Sequence, residues 1–283
     1  MPSLLAAFWI PTALVLGLLV GSFLNVVAWR WPRGESIVFP GSRCPSCRHA
    51  IAPWDNVPLL SYLWLRGRCR HCRVSIPPRY PLVELATGIS FAAIAARHEP
   101  SALSLLWLLL AAGLIAAALI DFDHGLIPDE ISLGGLLVGL VLVPTARAVA
   151  GEPWRPAAVD SAAGAALGGG LLWITGFLHA RVSVALGRSF EHWPGPGAAI
   201  PKASEPDYWL WFPGLGLGDV KLLAMIGAFL GSQGVVATLL TASLAGLALG
   251  LLYALRTRQL ASPFGLGPAI AVGALLVVLA RIP

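Results

Sequence analysis

Two aspartates and four cysteines carry most of the chemistry this sequence offers. Asp121 directly follows the apolar run "LLWLLLAAGLIAAALI", and Asp219 stands in "GLGLGDVKLLAMIG", between a run of glycines and another apolar stretch. An ionisable group within or at the edge of a membrane span costs roughly 2.5–3.5 kcal/mol on insertion scales, so it signals a task or a partner. Two carboxylates meeting in one water-containing cavity cannot both ionise cheaply. One keeps its proton, and the pair can then work as general base and general acid around a single water. Such a pair hydrolyses an amide without a metal or a covalent intermediate. Asp123 is the alternative partner for Asp219, but two residues along a helix it points nearly opposite to Asp121 and is expected to face solvent. Asp129, after Pro128, reads as a helix N-cap. Lys221 is expected to snorkel to the interface.

The cysteines fall into "CPSC" and "CRHC": Cys44, Cys47, Cys69 and Cys72, with 21 residues between the pairs. Each C-x-x-C knuckle can present two thiolates to one ion, which suits a four-cysteine zinc site with no open position for water. Free or redox-active thiols are the competing reading. His49 and His71 lie close by and read as solvated loop residues. The surrounding segment of about 50 residues has few large apolar side chains, so a metal would staple it.

The elements that must position these groups are membrane helices. The chain is 57% hydrophobic and 12% charged, with mean hydropathy +0.77, whereas soluble domains carry about 25% charged residues. The fold expected is all-α and polytopic, with about eight transmembrane helices, at 4–28, 80–96, 102–120, 131–150, 159–180, 219–233, 235–255 and 264–281. No Lys or Arg precedes Arg30, so the first apolar run is expected to stay as a span rather than serve as a cleaved signal.

Charge sets the orientation. Residues 29–80 hold nine arginines against Glu35 and Asp55, although the whole chain is only +5. This loop belongs in the cytoplasm by the positive-inside rule, and alternating the spans from it brings Asp121, Asp123 and Asp219 to the cytoplasmic side. A nucleic-acid surface is not supported, because the basic segment has no aromatic stacking platform or nucleic-acid motif. Three regions follow: the first span at 1–28, a basic four-cysteine domain at 29–80, and a membrane domain carrying the acid pair at 81–283. As a helix, residues 219–231 cover only about 20 Å of a core about 30 Å thick. Asp219 is therefore expected below the membrane surface, with glycines 214, 216 and 218 allowing irregular backbone around a cavity.

The ordered set of motifs resembles the type IV prepilin peptidases, bifunctional leader peptidases and N-methyltransferases of the GxGD aspartic protease class. "GSFLNVVAWRWP" (21–32), the two cysteine knuckles and "RYPLVELATG" (79–88) resemble that family's N-terminal half. "LIDFDHGLIPDEI" (119–131) and "GLGDVKLLAMIGAFLG" (216–231) resemble its peptidase half. The resemblance implies a bacterial inner-membrane endopeptidase that removes a short basic leader from prepilins and pseudopilins. It further implies methylation of the new N-terminal residue with S-adenosylmethionine. By motif position the catalytic aspartates are Asp121 and Asp219; Asn25, Arg79 and Glu84 lie in motifs near the implied cofactor site. The substrate's apolar N-terminal helix and the lipid bilayer are the implied partners, with no nucleic acid.

Two stretches depart from the family pattern. The insertion at 187–214, rich in proline and glycine, reads as a flap over the acid pair or a tolerated surface insertion. "PFGLGPAIAVG" (263–273) leads into the last span with no assigned role. The rival readings are a peptidase without methyltransferase activity, a transporter using membrane acids as a cation path, and a non-catalytic assembly factor. The transporter would show internal repeats, and no convincing self-similarity is visible.

Overall fold

A computed structural model describes residues 4–188, 199–210, 215–257 and 266–280. The described chain is helical, as hydrocarbon demands: with no water to bond, each backbone N–H and C=O must be satisfied within its own segment. The long helices are α1 (Leu4–Arg30), α3 (Arg79–Arg97), α4 (Ala102–His124), α5 (Asp129–Val149), α6 (Trp154–Ala185), α8 (Leu217–Thr257) and α9 (Leu266–Ala280), with two short ones, α2 (Leu60–Trp64) and α7 (Pro206–Leu210). Among the described residues α1, α4, α5, α6 and α8 are long and apolar enough to cross a membrane, and α9 is a shorter apolar helix.

The chain divides into two compact units, Met1–Ile120 and Asp121–Pro283. In the first, α3 runs antiparallel along α1. The Trp9 indole donates to the His98 carbonyl at one end (3.0 Å), and the Asn25 amide donates to the Tyr80 carbonyl at the other (3.2 Å). Between them a Cβ on Gly17 would meet the Gly88 Cα at 2.8 Å, so the backbones touch. α3 thus accompanies a spanning helix over most of its length, although Arg79, Glu84 and Arg97 dilute its apolar character. Residues 81–97, grouped by sequence with the peptidase half, lie here beside α1.

In the second unit the first leg of α8 is the centre. Leu222, Leu223, Ile226 and Ala228 are fully buried. It packs on α6 at glycines: a Cβ on Gly164 would sit 2.2 Å from the Gly227 carbonyl oxygen. Ser161 of α6 donates to the Ala228 carbonyl (2.6 Å) and, at 3.3 Å, to that of Gly139, tying three helices at one point.

α8 is two helical legs meeting at Gly231, whose φ of 68° is left-handed. The legs reverse direction there. The second leg runs antiparallel to α9, with Gly246 near Ala269 and the Thr241 hydroxyl donating to the Gly273 carbonyl (3.1 Å). Its far end thereby returns toward the start of α9, the level at which α8 itself begins. Asp160 of α6 braces the reversal by accepting from the Ser232 backbone N–H (3.3 Å), while Arg147 pairs with Asp160 (2.9 Å) and Glu152 (2.8 Å). The expected spans at 219–233 and 235–255 correspond to these legs.

Candidate active site

Asp121 lies in the last turn of α4 and Asp219 in the first turn of α8. Together with Gly125, Leu126, Ile127, Gly216, Leu217, Gly218 and Lys221 they line a cavity of about 240 Å³. Asp219 is buried. Oδ2 of Asp121 and Oδ1 of Asp219 are each buried without a hydrogen-bond partner among the described residues. Buried polar oxygens need partners, and this cavity has room for water or a peptide carbonyl to supply them.

The backbone builds the cavity from two helix starts. Gly216 accepts from the Asp219 N–H (3.1 Å), which fixes the turn into α8. A Cβ on Gly218 would press on the Ile127 side chain at 3.1 Å, so glycine lets α8 enter against the 125–128 turn. On the other side the backbone of Gly267, at the start of α9, lies against the Asp121 carboxylate. Sequence reasoning gave no role to this stretch; a G-L-G triplet before both α8 and α9 was the available signal. Residues 263–265 of that motif, and Gly214 of the other, lie outside the described residues.

Asp123 is exposed and does not line the cavity. Asp129 is not the cap of α5. Pro128, in extended conformation, occupies that position without a side-chain bond, and Asp129 is the first helical residue, where its charge still favours the helix start. Lys221 forms an ion pair with Asp129 rather than simply reaching for water. A cation thus stands at the cavity wall two residues from Asp219.

In the first unit the Sγ atoms of Cys44, Cys47, Cys69 and Cys72 all lie within 4.8 Å of one another. Cys44 and Cys72 are 3.8 Å apart, close to the edge of a tetrahedron with metal–sulfur bonds of about 2.3 Å. The two knuckles fold alike: Arg48 N–H donates to the Cys44 carbonyl and Arg73 N–H to that of Cys69, and both arginines have positive φ. The backbone N–H of Cys47 holds the Cys44 thiol down to about 7. At Cys47 the backbone N–H of His49 pulls the same way, but desolvation and the three neighbouring thiols outweigh it and push its thiol up to about 11. Crowded thiols resist ionising together, and a divalent cation offers them a shared counterion. His49 and His71 are both exposed, as expected, and their rings also meet, tilted by 34° with centroids 3.5 Å apart. Arg70 forks onto Asp55, holding that carboxyl below its usual range and tying the second knuckle to the turn at Pro53–Asp55.

The Asn25 amide donates to the Gly21 and Tyr80 carbonyls. A Glu84 carboxylate oxygen accepts from the Leu59 N–H (2.9 Å). Arg79 is half-buried at the start of α3. The buried Asn25 and Glu84 thus bond to this unit's own backbone.

In the insertion, α7 packs on α6 and does not line the cavity. Trp209 stacks on Phe177 (5.3 Å) and Trp173 (6.4 Å), and the Arg181 guanidinium lies 3.5 Å from the Tyr208 ring centre. Residues 189–198 and 211–214 of the expected flap lie outside the described residues.

Helices of membrane length, with a cavity lined by two carboxylates that each have an oxygen without a partner among the described residues, define a polytopic membrane protein. Residues 15–98 match the bacterial peptidase A24 N-terminal domain, and residues 108–251 match the type IV leader peptidase family. A prepilin leader peptidase/N-methyltransferase of Burkholderia pseudomallei (strain 1026b) is 36% identical over 92% of this chain and 82% of its own length. A protein of the same name from Pseudomonas putida is 36% identical over 96% and 91%, and one from Pseudomonas aeruginosa 35% over 94% and 88%. No solved structure matches the chain. The chain belongs to the type IV leader peptidase family.

Proposed function

We propose that this protein cleaves the leader from type IV prepilins and pseudopilins in the bacterial inner membrane and then N-methylates the new N-terminus. The observation that carries the peptidase reading is the shared cavity in which Asp121 and Asp219 each hold one buried oxygen without a partner among the described residues. One carboxylate takes a proton from a water as its oxygen attacks the scissile carbonyl carbon; the other, carrying the shared proton, donates it to the carbonyl oxygen. Collapse of the tetrahedral intermediate breaks the C–N bond as a proton passes to the departing nitrogen, leaving a leader carboxylate and a free amine. Gly267 orients Asp121 through its backbone, and the Asp129–Lys221 pair sets the charge of the cavity wall.

The four cysteines hold zinc as a structural ion. The arginine-rich loop and the acid pair occupy the cytoplasmic side, in keeping with the positive-inside rule. The methyl donor is S-adenosylmethionine, which supplies an electrophilic methyl group for the amine released by cleavage. This second activity rests on the names of the relatives.

The test is the intact mass of a prepilin incubated with the purified protein in lipid. Wild type removes the leader, and Asp121→Asn or Asp219→Asn slows removal about a hundred- to ten-thousand-fold. A methyl mass is added only with S-adenosylmethionine. Full leader removal by either variant overturns the acid-pair reading, and removal without a methyl mass leaves a peptidase alone.

A further inference from the structure

The buried Glu84 raises a question that catalysis does not answer. It sits on α3 beside the spanning helix α1: a Cβ on Gly21 would lie 2.8 Å from the Glu84 Cα. α1 continues nine residues past Gly21, to Arg30, a further rise of about 13 Å. Glu84 therefore lies beside α1 well short of that helix's end. Its carboxylate nevertheless accepts from the backbone N–H of Leu59 (2.9 Å), a residue of the connecting loop immediately before α2. The loop that leaves α1 at Arg30 thus folds back along the helix to reach the Glu84 carboxylate before it returns through the second cysteine knuckle.

There α2 turns its apolar side chains outward. Leu60, Leu63 and Trp64 are 66%, 71% and 82% exposed, while Ser61 is turned in and donates to the Trp54 carbonyl (3.0 Å). Backbone that enters hydrocarbon must have its polar groups satisfied, and this segment meets the demand. Ser61 N–H donates to the Val57 carbonyl, Leu63 to Leu59 and Leu65 to Ser61. The Leu59 N–H, which that local turn leaves over, goes to Glu84.

We propose that α2 is a re-entrant anchor, seated in the headgroup–acyl boundary of an anionic phospholipid bilayer and held there by Glu84. Two features select lipid as the occupant. The exposed apolar side chains of α2 match in character those exposed on the two long helices of the same unit, with Phe23 of α1 48% and Leu82 of α3 61% exposed. The residues that follow include Arg66 and Arg68, both exposed, in a loop with nine arginines and two acids, and basic residues beside a membrane bind anionic headgroups. The anchor would keep the cysteine knuckles against the membrane surface. It does not depend on the proposed chemistry.

The experiment places a photoreactive benzoylphenylalanine at position 63 of the full chain, in vesicles of phosphatidylethanolamine and phosphatidylglycerol. Adducts are identified by mass with and without added prepilin, and position 82 serves as the lipid-facing control. Phospholipid adducts at 63, retained when prepilin is added, are expected. The Glu84→Gln variant, which keeps an acceptor, should retain them, and Glu84→Ala should lose about tenfold, the effect of one charge-assisted hydrogen bond. Adducts at 63 to a second copy or to prepilin in place of lipid, or none while position 82 reacts, would overturn the proposal.

Discussion

The backbone of Gly267 lies so close to the side chain of Asp121 that a Cβ built on the glycine would stand 2.6 Å from Oδ2. A residue of the last helix thereby determines where the carboxylate of the fourth can sit, and Asp121 cannot move toward α9.

Gly267→Ala is accordingly expected to displace the Asp121 carboxylate without dismantling α9, whose Ile270 and Ala274 remain buried. Misplacement by about 1 Å costs on the order of a hundredfold in rate. Kinetics with a prepilin should show the loss in kcat, with KM little changed and the melting temperature near wild type. Unchanged kcat would mean that the close approach only packs the helix.

The two aspartates are expected to act as one unit. The double variant Asp121→Asn/Asp219→Asn should be no slower than the worse single variant, because groups sharing one step are grossly non-additive. Losses that multiply would assign the residues separate roles. The comparison needs only end-point cleavage over long incubations.

Zinc content should follow the thiols. Binding needs thiolates, so protons compete with the metal and affinity falls as pH falls. Of the two shifted thiols, Cys44, near 7, gives up its proton readily, whereas Cys47, pushed up to about 11, does so only with the cation's help. Elemental analysis is expected to find one zinc per chain at neutral pH, progressive loss on acidification, and loss in Cys44→Ser. Full metal retention after Cys44→Ser would remove that sulfur from the ligand set.

The reversal in α8 is expected to be a weak point for stability. Asp160→Ala removes both the acceptor for Ser232 N–H and the partner of Arg147, a loss of about 1 kcal/mol for the cap alone. Gly231→Ala should cost more, since its φ is 68° and the new Cβ would meet Asp160 Oδ2 at 2.3 Å. Thermal unfolding in detergent should rank wild type above Asp160→Ala above Gly231→Ala. The opposite order of the variants would show that the turn relaxes easily.

Much of this protein was legible in one dimension because the bilayer is an unforgiving solvent. The apolar runs up to Ile120 and from Val220 announce helices, since hydrocarbon permits little else, and a carboxylate beside such a run carries a cost that marks it. Asp121 and Asp219 therefore stand out by residue type and position, and the cysteine pairs by spacing; the structure brings each set together. What pairs across the fold was not legible. That Lys221 meets Asp129, that Gly267 confines Asp121, that α7 stacks on Trp173 and Phe177, and that Glu84 reaches Leu59 all depend on which helix faces which. Hydropathy is nearly the same around a lipid-facing helix and a buried one, so it fixes depth but says little about rotation and neighbours. Those are decided by glycine contacts such as Gly164 on Gly227 and by single polar bonds such as Ser161 to Ala228, whose partners lie far apart in the chain and meet only when the helices pack.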